Sequence, residues 1–301
     1  MIRRAAKESM HARNRFRAGY DFAQLVAASP TLAPFVGPNP HGDLSIDYAN
    51  ADAVRSLNRA LLAAAYGLTH WDVPPGHLCP PIPGRSDYLH HLADLLAGGN
   101  ASMIPRGPHV RVLDIGVGAT CIYPLIGASE YGWRFVGTDI DPGALDWARQ
   151  VVAANPAVAG LIECRLQPSP AWCFKDVINK GEYFAACMCN PPFHASAEDA
   201  ASGTRRKRRG LGQSKKMPLN FGGRARELWC EGGESGFVRR MITESAGVAG
   251  QCRWFTTLVS KSAHLPRFYD TLRASGATDV RTIPMAQGQK QSRILAWTFA
   301  R

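Results

Sequence analysis

The sequence predicts an α/β protein: a mostly parallel sheet flanked by helices, preceded by a helical N-terminal module. Three observations carry this expectation. From residue 110 onward, short apolar runs alternate with helical patterns, the rhythm of βαβ units. Before residue 100 the chain reads as amphipathic helices separated by Pro-bearing turns. Between the two, GGNASMIPRGP at 98–108 marks a boundary, giving an N-terminal module at 1–100 and a second unit at 101–301.

The elements follow in order. Residues 52–65 carry Val54, Leu57, Leu61 and Leu62 at helical spacing and stop near Gly67. The run VPPGHLCPPIPGR at 73–85 is too rich in proline for a helix or a central strand and is expected to be extended. A short helix is expected at 88–96, closed by Gly98 and Gly99. Strands are expected at 110–115, 134–138, 162–166, 183–189 and 253–260, with helices at 121–130, 142–154 and 264–274. Residues 280–283 and 294–299 form the closing strand pair. A basic, Gly-bearing insertion at about 197–235 interrupts this rhythm, and a helix is expected at 235–245.

Composition limits the function classes. A chain of 301 residues with 46% apolar and 20% charged residues buries a full core, which excludes a dominantly disordered chain and a disulfide-stapled miniature. No apolar run reaches the ~18 residues of a membrane span, so no membrane partner is expected. The eight cysteines are scattered and offer no metal-knuckle spacing, so they read as buried thiols, with no metal expected and the cytoplasm as the compartment. A monomer is favoured.

The net charge of +11 resides in the last third: residues 195–301 carry 19 Lys and Arg against 8 Asp and Glu. Within it, 204–226 holds nine cations and no carboxylate, five of them consecutive: Arg205, Arg206, Lys207, Arg208 and Arg209. A smaller cluster including Arg13 and Arg15 opens the chain. Such runs attract polyanions through phosphate contacts and counterion release, and they equally serve as solvated surface.

Three motifs carry chemistry. In VLDIGVG (112–118) an apolar strand runs into Asp114, and Gly116 and Gly118 open a helix so that a nucleotide-type ligand can lie against backbone. Position 121 is Cys rather than the third glycine of a dinucleotide fingerprint, which disfavours NAD and FAD. In FVGTDID (135–141) a second strand ends in acid, and Asp139 stands where a ribose would be held, with Asp141 before Pro142 as a helix cap. The pair resembles the S-adenosylmethionine-dependent methyltransferases of the Rossmann-like class.

The third motif, Asn190–Pro191–Pro192–Phe193, follows the apolar run FAACMC. An aromatic ring amine is a poor nucleophile because its lone pair is delocalised. The Asn190 side-chain oxygen and the Pro191 carbonyl can each accept one of its N–H bonds, Pro192 stiffens the loop, and Phe193 offers a flat face for an extracted base. This motif resembles that of amino-group methyltransferases acting on adenine N6, cytosine N4, guanine N2 or a glutamine amide.

HARNRFRAGYDF (11–22), NPHGDLSIDYAN (39–50), the 70–96 stretch with PPIPGR, LDIGVGATCIYPLIG (113–127) and CNPPFHAS (189–196) together resemble the RlmF family. These are bacterial 23S ribosomal RNA adenine-N6 methyltransferases, related to the eukaryotic enzyme that methylates U6 small nuclear RNA. The resemblance implies a seven-stranded, Rossmann-like class I fold with S-adenosyl-L-methionine as cofactor and 23S rRNA as partner. It implies that Arg85 approaches the methionine carboxylate, that Asp114, Gly116 and Gly118 line the cofactor and Asp139 holds its ribose. Asn190 to Phe193 would clamp the adenine, Gln167 would reach the cofactor's adenine edge, and Arg13 and Arg15 would grip RNA. Two alternatives stay open at this point: a guanine-N2 rRNA methyltransferase, suggested by His194 after the motif, and a non-catalytic RNA-binding ribosome assembly factor.

Overall fold

The computed structural model describes residues 10–194, 229–287 and 290–300. The N-terminal part contains α1 (Phe22–Ala28), a small hairpin of β1 (Val36–Pro38) and β2 (Leu44–Ile46), then α2 (Ala51–Tyr66) and α3 (Ile82–Leu96). Asn50 caps α2 by accepting from the backbone of Asp52 and Ala53, and Gly67 closes it in the left-handed region at φ 67°.

One expectation fails here. Ile82 to Arg85 are not extended but form the first turn of α3. Proline is tolerated in a helix's first turn, where its missing N–H has no intrahelical partner, and Pro83 lies there. The consequence is functional, because a helix fixes the direction in which Arg85 leaves the backbone.

The second part runs β3 (Arg111–Ile115), α4 (Ile122–Tyr131), β4 (Arg134–Asp139), α5 (Pro142–Ala153), α6 (Pro156–Ala159), β5 (Ile162–Leu166) and β6 (Phe184–Cys189). It continues with α7 (Gly233–Ser245), β7 (Cys252–Val259), α8 (Leu265–Ala274), β8 (Asp279–Gln287) and β9 (Lys290–Thr298). The strands form one seven-stranded sheet in the order β5-β4-β3-β6-β7-β9-β8. The first five neighbours pair parallel, and β9 runs antiparallel between β7 and β8. The closing pair is longer than expected at both strands, since hairpin partners extend their ladder without needing a buried apolar run on every residue.

Strand residues alternate between two cores. Val112, Ala186 and Met188 enter a cluster that also holds Leu57, Leu61, Tyr88 and Leu92 from α2 and α3. Leu113, Cys187 and Cys189 face the other cluster, with Val238 and Met241 of α7 and Phe268 of α8. Burial on both faces explains why β6 reads as an unbroken apolar run and why β3 is apolar at Val112, Leu113 and Ile115. The N-terminal helices therefore share a core with the sheet. The chain passes from β3 outward to β4 and β5, then returns beside β3 as β6, leaving a crevice beyond the carboxyl ends of β3 and β6.

Among the described residues, no helix is long and apolar enough to cross a membrane.

Candidate active site

The crevice opens as a cavity of about 970 Å³ whose wall includes Arg85, Gly116, Gly118, Asp139, Gln167 and Asn190. Residues from α3, three strand tips and the loop after β5 thus converge, as the motifs require. Pro192 also lines it, and Pro191, between Asn190 and Pro192, is buried. Asp114 is 1% exposed and sits behind the wall rather than in it.

The glycine loop is built for a ligand's close approach. Gly116 and Gly118 have φ of 73° and 65°, which L side chains rarely adopt. A Cβ at Gly116 would meet nothing within 4 Å, so a side chain there would project into open space on the cavity side. The backbone N–H groups of Gly116 and Val117 both donate to the Thr138 carbonyl, at 2.8 and 2.9 Å, pinning the loop to β4. Cys121 stands in the left-handed region at φ 48° as the N-cap of α4, so the helix starts at Ile122, one residue later than expected.

Asp139 closes the same loop from the end of β4. Its two carboxylate oxygens accept from Gly118 N–H at 2.9 Å and Asp141 N–H at 3.0 Å. Each oxygen keeps a further lone pair for a vicinal diol. Burial raises its pKa above the ordinary carboxylate value. Asp141 caps α5, accepting from Gly143 and Ala144 as expected.

Asp114 is the unusual group. Both carboxylate oxygens are buried without a hydrogen-bond partner. Burial, reinforced by the charge of Asp139 and opposed by Arg85, pushes its pKa up to about 8. An uncompensated buried carboxyl is costly, and perturbed groups of this kind concentrate at ligand sites. Arg85 lies with its guanidinium over the Tyr123 ring, 5.3 Å from its centre, and both line the cavity.

Asn190 continues β6, and its Oδ1 is buried without a partner. The strand tip beneath it is pegged from both sides. Thr256 donates to the Cys187 carbonyl at 2.8 Å, and the Tyr88 hydroxyl meets Thr256 Oγ1 at 2.9 Å and accepts from Cys189 N–H at 3.3 Å. Tyr88 is fully buried on α3, so the N-terminal part directly fixes the position of the residue preceding Asn190. No local sequence pattern marks this role, because Tyr88 and Cys189 are 101 residues apart.

Gln167 braces the loop after β5. Its side-chain amide donates to the Lys175 carbonyl at 3.0 Å and accepts from Ser169 N–H at 3.1 Å. Opposite, Glu234 at the start of α7 is 1% exposed. It accepts from Ser260 N–H at 2.8 Å and from the Ser260 hydroxyl, and faces His264 Nδ1 at 2.8 Å. That carboxylate ties α7 to the end of β7; in the sequence the only local mark of this role is the Gly232–Gly233 pair just before it, which takes φ of 76° and 56°.

The N-terminal arginines have intramolecular partners. Arg13 donates to Asp94 Oδ1 at 2.7 Å and to the His90 carbonyl at 2.8 Å. Arg15 pairs with Glu130 at 2.9 Å and lies 5.6 Å from the Tyr66 ring centre. Both fasten the entry segment to the helices. Arg205, Arg206, Lys207, Arg208 and Arg209 lie outside the described residues. His11, His91 and Asp94 place ligand-type atoms within 4.8 Å of one another. Arg13 N–H donates to His11 Nδ1 at 3.1 Å, leaving the ring proton on Nε2, which faces Asp94 at 2.8 Å. With the Arg13 cation on the same carboxylate, the group is an ion-pair and hydrogen-bond network rather than a cation cradle.

The chain is similar to known proteins in both sequence and fold. The sequence model of a family described as RNA methyltransferase matches residues 4–301. The chain belongs to that family. Ribosomal RNA large subunit methyltransferase F of Pectobacterium carotovorum subsp. carotovorum (strain PC1) is 56% identical over 293 residues, covering 97% of this chain and 94% of the relative. The protein of the same name from Methylobacillus flagellatus is 56% identical over 310 residues, covering 97% and 92%. Among solved structures, the hMettl16 catalytic domain in complex with MAT2A 3'UTR hairpin 1 superposes with a TM-score of 0.81 at 33% identity, over 97% of this chain and 96% of that one. The N-terminal domain of human METTL16 in complex with SAH gives 0.76 at 30% identity, over 98% and 100%. The expected α/β methyltransferase fold with seven strands is therefore the observed one.

Proposed function

We propose that this member of the RNA methyltransferase family transfers a methyl group from S-adenosyl-L-methionine to N6 of an adenine in 23S ribosomal RNA, in the cytoplasm. The observation that carries the reading is the unpartnered, buried Asn190 Oδ1 on the wall of the cavity that also holds the glycine loop, Asp139 and Arg85. The names of the bacterial relatives supply the class of RNA.

The residues present fit the cofactor. Asp139 offers free lone pairs to a ribose diol, Gly116 leaves room at the backbone, Arg85 matches a carboxylate, and Asp114 is an orphaned acid suited to a nearby cation. When bound, S-adenosylmethionine supplies an electrophilic methyl group on a sulfonium. The chain's own part is orientation. Asn190 Oδ1 and the Pro191 carbonyl accept the two amine N–H bonds and turn the nitrogen's lone pair out of conjugation. Phe193 stacks on the extracted base, and much of the rate comes from this positioning. No general base is required, since the nitrogen's extra proton becomes acidic on methylation and passes to solvent. The 204–226 cations supply the charge for RNA phosphates.

Two results are expected from the surroundings of the site. Asp114 holds its proton in the free protein up to about pH 8. Its folded pKa exceeds the unfolded value, so its contribution to stability is present in acid and is lost as pH rises through about 8. A cationic ligand beside it favours the carboxylate, so cofactor uptake at pH 7 releases protons and affinity climbs toward pH 8. Calorimetry in buffers of different ionisation enthalpy reads this release, and Asp114→Asn removes it; a buffer-independent heat for the wild-type protein would contradict it. Tyr88→Phe keeps the ring and loses the peg on Cys189. It lowers kcat by roughly 10-fold, the worth of one buried hydrogen bond, and leaves the cofactor KM unchanged; a rise in KM alone would contradict the positioning role.

The test of the reading is incubation of the protein with isotopically labelled S-adenosylmethionine and unmodified 23S rRNA. Label in N6-methyladenosine is expected. Label in N2-methylguanosine, or in protein only, would overturn it.

A further inference from the structure

Four polar atoms of cavity-lining residues are buried and lack any hydrogen-bond partner: the acceptor Asn190 Oδ1, the N–H donors Trp229 Nε1 and Arg240 Nε, and the Tyr123 hydroxyl, whose ring Arg85 covers. Buried donors and acceptors in native proteins are satisfied almost without exception, so orphans gathered around one cavity indicate a ligand that completes them. Asn190 already has a counterpart in the target amine. The two N–H donors do not.

Arg240 has other company. Its guanidinium lies 5.4 Å from the Phe237 ring centre on the same helix, and it hydrogen-bonds the Cys173 thiol. Trp229 is placed differently. It forms a parallel bridge with His194, and Cys230 N–H donates to the His194 carbonyl at 3.1 Å. This strand-like rung sets Trp229 beside the residue that follows the Asn190–Phe193 motif. An indole N–H is a donor only and has no alternative role to play.

We infer that Trp229 is a specificity-determining residue for the target base: its indole N–H donates to the ring nitrogen beside the adenine amino group while Asn190 accepts from that amino group. The inference rests on the adenine-N6 reading given above. Adenine offers an acceptor nitrogen on each side of the carbon bearing its amine, N1 and N7, so a fixed donor beside a fixed acceptor matches either edge. Guanine presents a carbonyl at that carbon, which would set acceptor against acceptor at Asn190. The pocket then reads the base chemically, in addition to the flat stacking face of Phe193.

The test uses Trp229→Phe, which keeps an aromatic ring and removes the N–H. Its substrates are an RNA fragment containing the methylated adenosine and the same fragment with 1-deazaadenosine or 7-deazaadenosine at that position. Trp229→Phe is expected to lower kcat/KM on adenosine roughly 10-fold. The wild-type protein is expected to show the same loss on one of the two analogues, and on that analogue the variant and wild type should be equal. An unchanged S-adenosylhomocysteine affinity verifies that the variant is folded. An equal loss on all three substrates would assign Trp229 a packing role and overturn the proposal, as would no loss on adenosine. Failure of the underlying reading is distinguishable: the wild-type protein would then make no N6-methyladenosine in any RNA.

Discussion

Asn190→Ala lowers methyl transfer by about 100- to 1,000-fold, the scale set by losing one preorganised contact and the alignment it imposes. It leaves the affinity for S-adenosylhomocysteine within about twofold of wild type, because no cofactor-holding group moves. The reason is local. Asn190 Oδ1 is buried and has no partner within the protein, so removing it breaks nothing in the fold. The strand tip stays pegged through Tyr88 and Thr256. Asn190→Asp retains an acceptor and recovers part of the rate. Single-turnover kinetics with calorimetric binding separates the two effects, and a loss of cofactor binding matching the loss of rate would show that Asn190 holds cofactor instead.

Asp139→Ala has the opposite signature. It removes the acceptor for Gly118 and Asp141 N–H groups as well as the ribose contact. Hydrogen bonds to an ionised carboxylate are each worth about 1.5–3 kcal/mol, so cofactor affinity falls by roughly 100-fold or more. The glycine loop also loses its tether to β4's end, although its two bonds to the Thr138 carbonyl remain. Cofactor-dependent stabilisation in a thermal melt should vanish, and the melting point of the free protein should itself fall by several degrees as the two backbone bonds to the carboxylate are lost. Undiminished stabilisation would displace Asp139 from the ribose site.

The parts of the fold legible in the sequence are those whose signal is local. β6 announces itself because both faces are buried and FAACMC is apolar throughout, and β3 does so through Val112, Leu113 and Ile115. Strand tips carry the ligand groups in such sheets, so Asp114, Asp139 and Asn190 were marked by the same runs that marked the strands. The structure departs from the extended expectation at 82–85 because the position of a proline matters as much as proline density, and a helix's first turn accepts Pro83. The N-terminal hairpin of β1 and β2 is three residues a side and carries no periodicity to find.

The site was less legible wherever a role depends on distant partners. Arg13 and Arg15 look like free cations in the sequence, yet their carboxylates, Asp94 and Glu130, are 81 and 115 residues away. Tyr88 and Trp229 are ordinary aromatics until the fold sets one beneath Cys189 and the other beside His194. The isolation of Asp114 is likewise a property of packing, since nothing in VLDIGVG distinguishes a paired acid from an orphan.

The central claim is the chemistry at the strand-tip cavity, and product identity tests it most directly. Unmodified 23S rRNA is incubated with the protein and S-adenosylmethionine bearing a trideuterated methyl group, digested, and its nucleosides resolved by mass spectrometry. The expected product is N6-(trideuteromethyl)adenosine, absent when Asn190→Ala replaces the wild-type protein. Trideuteromethyl on guanine, or on no nucleoside while the cofactor still binds, would contradict it.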